Sequence, residues 1–141
     1  MTITLEYTNI NKYSYRVAND FSMTLPVNFN TSVHEDYVHL DNCTIFIPRL
    51  YCWDGATCAI DTKDFMIPSL VHDALYQLIR LKRLSPKHRK DCDKVLKILC
   101  LKSGMPVWRV SYVYLAVRLF GGKHLRIGEP QDKILTATIN Y

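Results

Sequence analysis

The chain has 141 residues, of which 48% are hydrophobic and 22% charged, and its formal charge is +5. That size suits one domain with a real core and is short for two, and the balance excludes a disordered or fibrous chain. No apolar run approaches the roughly 20 residues of a membrane span, and Met1-Thr2-Ile3-Thr4-Leu5-Glu6 lacks the basic start and long apolar run of a secretion signal.

The first third reads as strand. Thr2 to Tyr7 is β-rich, and Tyr13-Ser14-Tyr15-Arg16-Val17 alternates large and polar residues. Asn28 to Ser32 has loop composition. Tyr37 to Leu40 and Cys43 to Ile47 flank Asp41-Asn42, which reads as a hairpin turn. Residues 1–52 are therefore expected to form a small antiparallel sheet of three to five strands. A turn-rich stretch, residues 53–63, follows with Trp53-Asp54-Gly55-Ala56-Thr57 at its start.

Residues 64–122 carry helical periodicity. The first helix is expected to start near Asp61 to Asp64, with Pro68 in its first turn, and to run to about Lys82 on Leu70, Val71, Leu75, Leu78 and Ile79. Ser85-Pro86 caps a second, carrying Cys92, Val95, Leu96, Leu99 and Cys100 up to Gly104. Pro106 opens a third that reaches Gly121-Gly122. The tail, 123–141, holds a loop at Gly128-Glu129-Pro130 and a candidate strand from Ile134 to Ile139. Strands first and helices later predict a single α+β domain, with the sheet packed on a three-helix bundle.

Five cysteines at 43, 52, 58, 92 and 100 form no CxxC pair, and their odd number argues against a complete disulfide framework or a structural zinc site. Cys92 and Cys100 read as small core residues, and reduced thiols fit a cytoplasmic compartment. The basic residues concentrate between Arg80 and Arg126. They form either a solvated helical surface or a face for nucleic acid, nucleotides or anionic lipid.

One cluster carries potential chemistry. His72 and Tyr76 lie four residues apart, on one face of the first helix, with Asp73 at the edge of that face. Such groups are rarely buried without partners. Asp93, from the second helix, is the expected partner: it would hold His72 as a general base and accept a hydrogen bond from Tyr76. Asp73 could bind a cation with carbonyls of the Gly55 loop. Arg89, one turn before Asp93, could pair with that carboxylate or with an anionic substrate, and Arg118 could bind an anion or form an ion pair. Trp53 is either a substrate platform or a core anchor. The same His72, Tyr76 and Asp93 could equally be a satisfied hydrogen-bond network that locks two helices.

The run from Trp53 to Gly121 resembles an uncharacterised family of small tailed-phage proteins. The resemblance rests on Trp53-Asp54-Gly55-Ala56-Thr57, His72-Asp73-Ala74-Leu75-Tyr76, Arg89 with Asp93, and Tyr114-Leu115-Ala116-Val117-Arg118-Leu119-Phe120-Gly121. The order of loop, His-Asp-x-x-Tyr helix and Asp-bearing helix is also similar to secreted and parvoviral phospholipases A2. That similarity implies His72 as the base, Asp73 with Gly55 as a Ca²⁺ site, Asp93 as the group that steadies the His, and Tyr76 as its support. The chain departs from those enzymes in having one glycine in the loop and no paired cysteines before the His, where Ser69 and Leu70 stand.

Three functional classes follow from the site residues, the basic surface and these resemblances. The first is a phage-encoded hydrolase acting on a small-molecule, lipid or nucleotide ligand, phospholipase A2-like if calcium is bound. The second is a virion or tail-assembly protein partnered by phage structural proteins. The third, motivated by the basic surface and by Arg89, Arg109 and Arg118, is a counter-defence protein, in the host bacterial cytoplasm, that binds or cleaves a nucleotide signal.

Overall fold

The computed structural model describes residues 3–11, 14–54 and 62–125. The Gly55 loop, Cys58 and the expected tail strand lie outside the described residues. Seven strands and three α-helices follow in chain order, so the protein is α+β. The strands divide into two antiparallel sheets. The first orders β1 (Tyr7–Asn11), β2 (Ser14–Val17) and β7 (Cys52–Asp54) as β1-β2-β7. The second orders β3 (Phe21–Thr24), β4 (Ser32–Glu35), β5 (Val38–Asp41) and β6 (Thr44–Ile47) as β3-β6-β5-β4.

Three details differ from the expected strands. β1 begins at Tyr7, opposite Val17, and residues 3–6 are not strand, although the Ala18 N–H still donates to Glu6 O. The β5–β6 loop is Asn42–Cys43, since Asp41 still pairs with Thr44, and Asn42 takes the positive φ of 55° that the tight turn needs. Finally, β3 and β4 are strands of only four residues each, a length over which alternation is a weak signal.

The second sheet is apolar on one face. Phe21, Met23, Val33, Val38, Leu40, Ile45 and Ile47 are buried, as the two-residue period requires. They share one core with α1 (Lys63–Arg80), whose buried residues run almost all round the helix. A helix of that pattern is a central element. It starts five residues before Pro68, so the proline lies in its second turn instead of its first. The first sheet is fastened to α1 by two side-chain hydrogen bonds. Trp53 Nε1 donates to Ser69 Oγ at 3.1 Å, and Tyr51 Oη donates to Gln77 Oε1 at 2.6 Å.

α2 (Arg89–Lys102) buries Cys92, Val95, Leu96, Leu99 and Cys100 against its neighbours. α3 (Val107–His124) faces it with Val110, Val113 and Val117. α3 passes through Gly121-Gly122 rather than ending there.

α1 and α2 end in the same way. After α2, Gly104 takes φ +89°, its N–H donates to Leu101 O, and the Met105 N–H donates to Cys100 O. After α1, Lys82 takes φ 61°, its N–H donates to Ile79 O, and the Arg83 N–H donates to Leu78 O. Both are Schellman caps, and only one has the glycine that the left-handed residue favours. Nothing lies within 4 Å of a Cβ placed on Gly104, so a side chain there meets a purely conformational penalty. Gly104→Ala is expected to lower stability by about 1 kcal/mol, and Lys82→Gly to raise it by up to about 1 kcal/mol. Urea unfolding of the two variants measures both, and equal signs would contradict the cap assignment.

Candidate functional site

Asp93 is the centre of the site. It lies on the buried face of α2, one residue after Cys92, and has no exposed surface. A carboxylate there must recover the hydration it loses. His72 Nε2 lies 2.8 Å from Asp93 Oδ1, and Tyr76 Oη donates to the same oxygen at 2.5 Å. Both come from one turn of α1, and their rings lie 4.0 Å apart, centroid to centroid. Arg118 on α3 donates from Nη1 to Asp93 Oδ2 at 2.7 Å. One carboxylate thus joins all three helices.

The electrostatics fix the protonation. Burial pushes the Asp93 carboxyl up, but hydrogen bonds from His72, Tyr76 and Arg118 outweigh it and hold the group below its ordinary value. Asp93 is therefore ionised at neutral pH and can only accept. It follows that His72 carries its proton on Nε2. The other ring nitrogen, Nδ1, makes no hydrogen bond to a described residue, and the side chain keeps 9% of its surface exposed. Burial, then the Asp93 hydrogen bond and charge, raise the Tyr76 phenol far above its usual range, so it stays a donor.

Arg89 does not reach Asp93. It lies across the last turns of α3, where Nη2 donates to Val117 O at 2.7 Å and to Arg118 O at 2.9 Å. Its Nε is buried without a hydrogen-bond partner among the described residues. The glycines at 121 and 122 make room for this approach. A methyl group on Gly121 would stand 2.8 Å from Tyr76 Oη, and one on Gly122 would stand 3.4 Å from the Arg89 guanidinium carbon. Both positions read in the sequence as a helix stop. Gly121 lets a phenol lie directly on a helix backbone. A glycine pair inside an apolar helical pattern was the available signal.

The remaining predicted site residues lie elsewhere. Trp53 is 4% exposed, packs on Tyr15 at 5.4 Å and on Tyr7 at 6.0 Å between ring centroids, and is tied to Ser69, so it anchors the first sheet. Asp73 lies on the next face of α1 with Gln77 and Arg80, near Tyr51. Burial first, and then the Asp73 charge, raise the Tyr51 phenol. Calcium takes six to eight oxygen ligands. Near Asp73, Gln77 Oε1 already accepts from Tyr51, and the described residues include no group of three His, Cys, Asp or Glu side chains that could hold a metal ion. The carbonyls expected to complete a site with Asp73 belong to the Gly55 loop, which lies outside the described residues. Arg109 is bound to Thr62 Oγ1 at 2.8 Å and to Asp64 at 3.4 Å, at the start of α1. Cys92 and Cys100 are buried, and burial pushes the Cys100 thiol up to about 12 and Cys92 higher still, so neither is a nucleophile.

Removing the Asp93 charge tests this arrangement. Asp93→Asn is expected to cost about 2–3 kcal/mol at neutral pH, because a buried acceptor with three donors becomes an amide. The difference from wild type is expected to hold above about pH 5. It should then shrink as pH falls below the ordinary aspartate value of 3.8, toward the lowered folded value. Urea titrations across pH measure it, and a gap that persists in acid would contradict an ionised Asp93.

In comparisons with known proteins, no family model matches this chain, and neither does any curated protein or solved structure.

Proposed function

We propose that the protein is a small hydrolase in which His72 is the general base. The supporting observation is the division of labour between the two imidazole nitrogens. Asp93 holds Nε2–H at 2.8 Å, and Nδ1 has no hydrogen-bond partner among the described residues. A neutral imidazole fixed in this way accepts a proton at Nδ1 from water while the water oxygen attacks an ester. The electron pair of the broken ester bond leaves on the alcohol oxygen, which takes up the proton. Asp93 stabilises the imidazolium that exists between these transfers. Tyr76 and Arg118 keep the carboxylate from turning, so the base is positioned before substrate arrives.

Arg118 also bears on the substrate. It gives Nη1 to Asp93 while 31% of its side chain remains exposed. This partly exposed cation beside the base favours esters that carry negative charge close to the reacting centre. Phosphate esters are the leading class under this reading.

The test compares p-nitrophenyl acetate with bis(p-nitrophenyl) phosphate, with and without added calcium. His72→Gln is expected to lower the rate by about 10²–10⁴ with the far-ultraviolet spectrum unchanged, the usual size of a general-base contribution. Wild-type protein that releases nitrophenol no faster than His72→Gln would sink the hydrolase reading and leave the network as a helix lock.

A further inference from the structure

The outward face of α3 is apolar. Trp108 is 74% exposed, Tyr112 56%, Leu115 57% and Leu119 61%. Their spacing of four, three and four residues lines them along one side of the helix. Val107 and Phe120, also exposed, widen the stripe on either side. Scattered exposed apolar residues need no explanation, but a contiguous stripe rimmed by charge marks a contact surface.

The charge around it points to the occupant. Residues 89–124 hold eight Lys or Arg against two Asp, whereas the other 105 residues hold ten against eleven. The whole positive charge of the chain thus sits on α2 and α3. Of the two aspartates, Asp93 is buried and already neutralised by Arg118. On α2, Lys90, Lys94 and Lys97 are exposed at helical spacing. Lys97 reaches α3, with Nζ 5.0 Å from the centre of the Tyr114 ring.

We infer that this face docks on an anionic lipid surface. A second copy of the chain would set two strongly basic faces against each other, which costs energy at every approach. The apolar residues spread over well more than one side of a convex helix, a shape that suits a deformable hydrocarbon boundary better than a rigid groove. Trp and Tyr beside lysines form the composition of an interfacial helix: rings enter the headgroup boundary while ammonium groups reach phosphates. No helix of the described residues is long and apolar enough to cross a membrane, so the mode is docking in the plane of the surface. This reading is independent of the His72 chemistry.

The chain carries its own reporter. It has two tryptophans, and Trp53 is buried in the core, so a change in emission on binding comes from Trp108. Full-length protein is mixed with vesicles of phosphatidylcholine alone, or of phosphatidylcholine with phosphatidylglycerol. The expected result is co-sedimentation with the anionic vesicles, a blue shift of Trp108 emission, and release by high salt. Leu115→Ser with Leu119→Ser should weaken binding about tenfold or more, because two buried leucine contacts are lost. Both positions are exposed, so these variants should fold. Lys94→Gln with Lys97→Gln should weaken binding to the anionic vesicles. Three results would each overturn the inference: protein left in the supernatant with anionic vesicles, equal binding by the leucine variant, or a wild-type dimer in sedimentation velocity that the leucine variant abolishes.

Discussion

A carboxylate with no exposed surface is the constraint on which the helical half of this protein depends. Asp93 loses its water on folding, and that loss costs several kcal/mol unless the group is surrounded by donors. The donors come from two other helices: His72 and Tyr76 from α1, and Arg118 from α3. Each must arrive at one carboxyl group at the same time. The rotation of α1 about its axis and the depth to which α3 settles on α2 are therefore coupled through a single side chain. Apolar packing alone would tolerate a range of such arrangements. The polar requirement selects one, and it leaves an imidazole with one nitrogen bound and the other without a described partner.

The closeness of the helices at this point has its own chemical condition. Tyr76 and Arg89 lie against α3 where it carries Gly121 and Gly122; a methyl group on Gly121 would press on the Tyr76 hydroxyl, and one on Gly122 would come into contact with the Arg89 guanidinium. The valines of α3 set its general position on α2, and the glycines let it close the final distance. Arg89 then binds the carbonyls of Val117 and Arg118, holding the very turn that presents the Arg118 guanidinium to Asp93. Arg89 and the glycine pair thus act through Arg118 and Tyr76 and touch neither oxygen of the carboxylate.

Much of this was legible in the sequence because helices advertise themselves over long windows. The i, i+4 relation of His72 and Tyr76, and the apolar positions around Asp93, placed all three groups at one interface. Arg118 is legible as a possible anion ligand, but its partner is not, since a contact across 25 residues depends on how α3 rolls on α2. Asp73 sits beside His72 in the chain, yet one helical step carries it to the face toward Tyr51. Trp53 gave an ambiguous signal, and the hydrogen bond to Ser69 resolves it toward the core. The sheets are the least legible part. Their strands run to five residues at most, and a period of two says which face is buried but not which strand is the neighbour.

The central claim is that Asp93 fixes His72 with its proton on Nε2. Long-range proton–nitrogen correlation spectra of the imidazole ring, recorded at neutral pH, read this tautomer directly. The account expects the Nε2–H form in the wild type and a mixture of tautomers in Asp93→Asn. An Nδ1–H form in the wild type, or the same spectrum in both proteins, would contradict it.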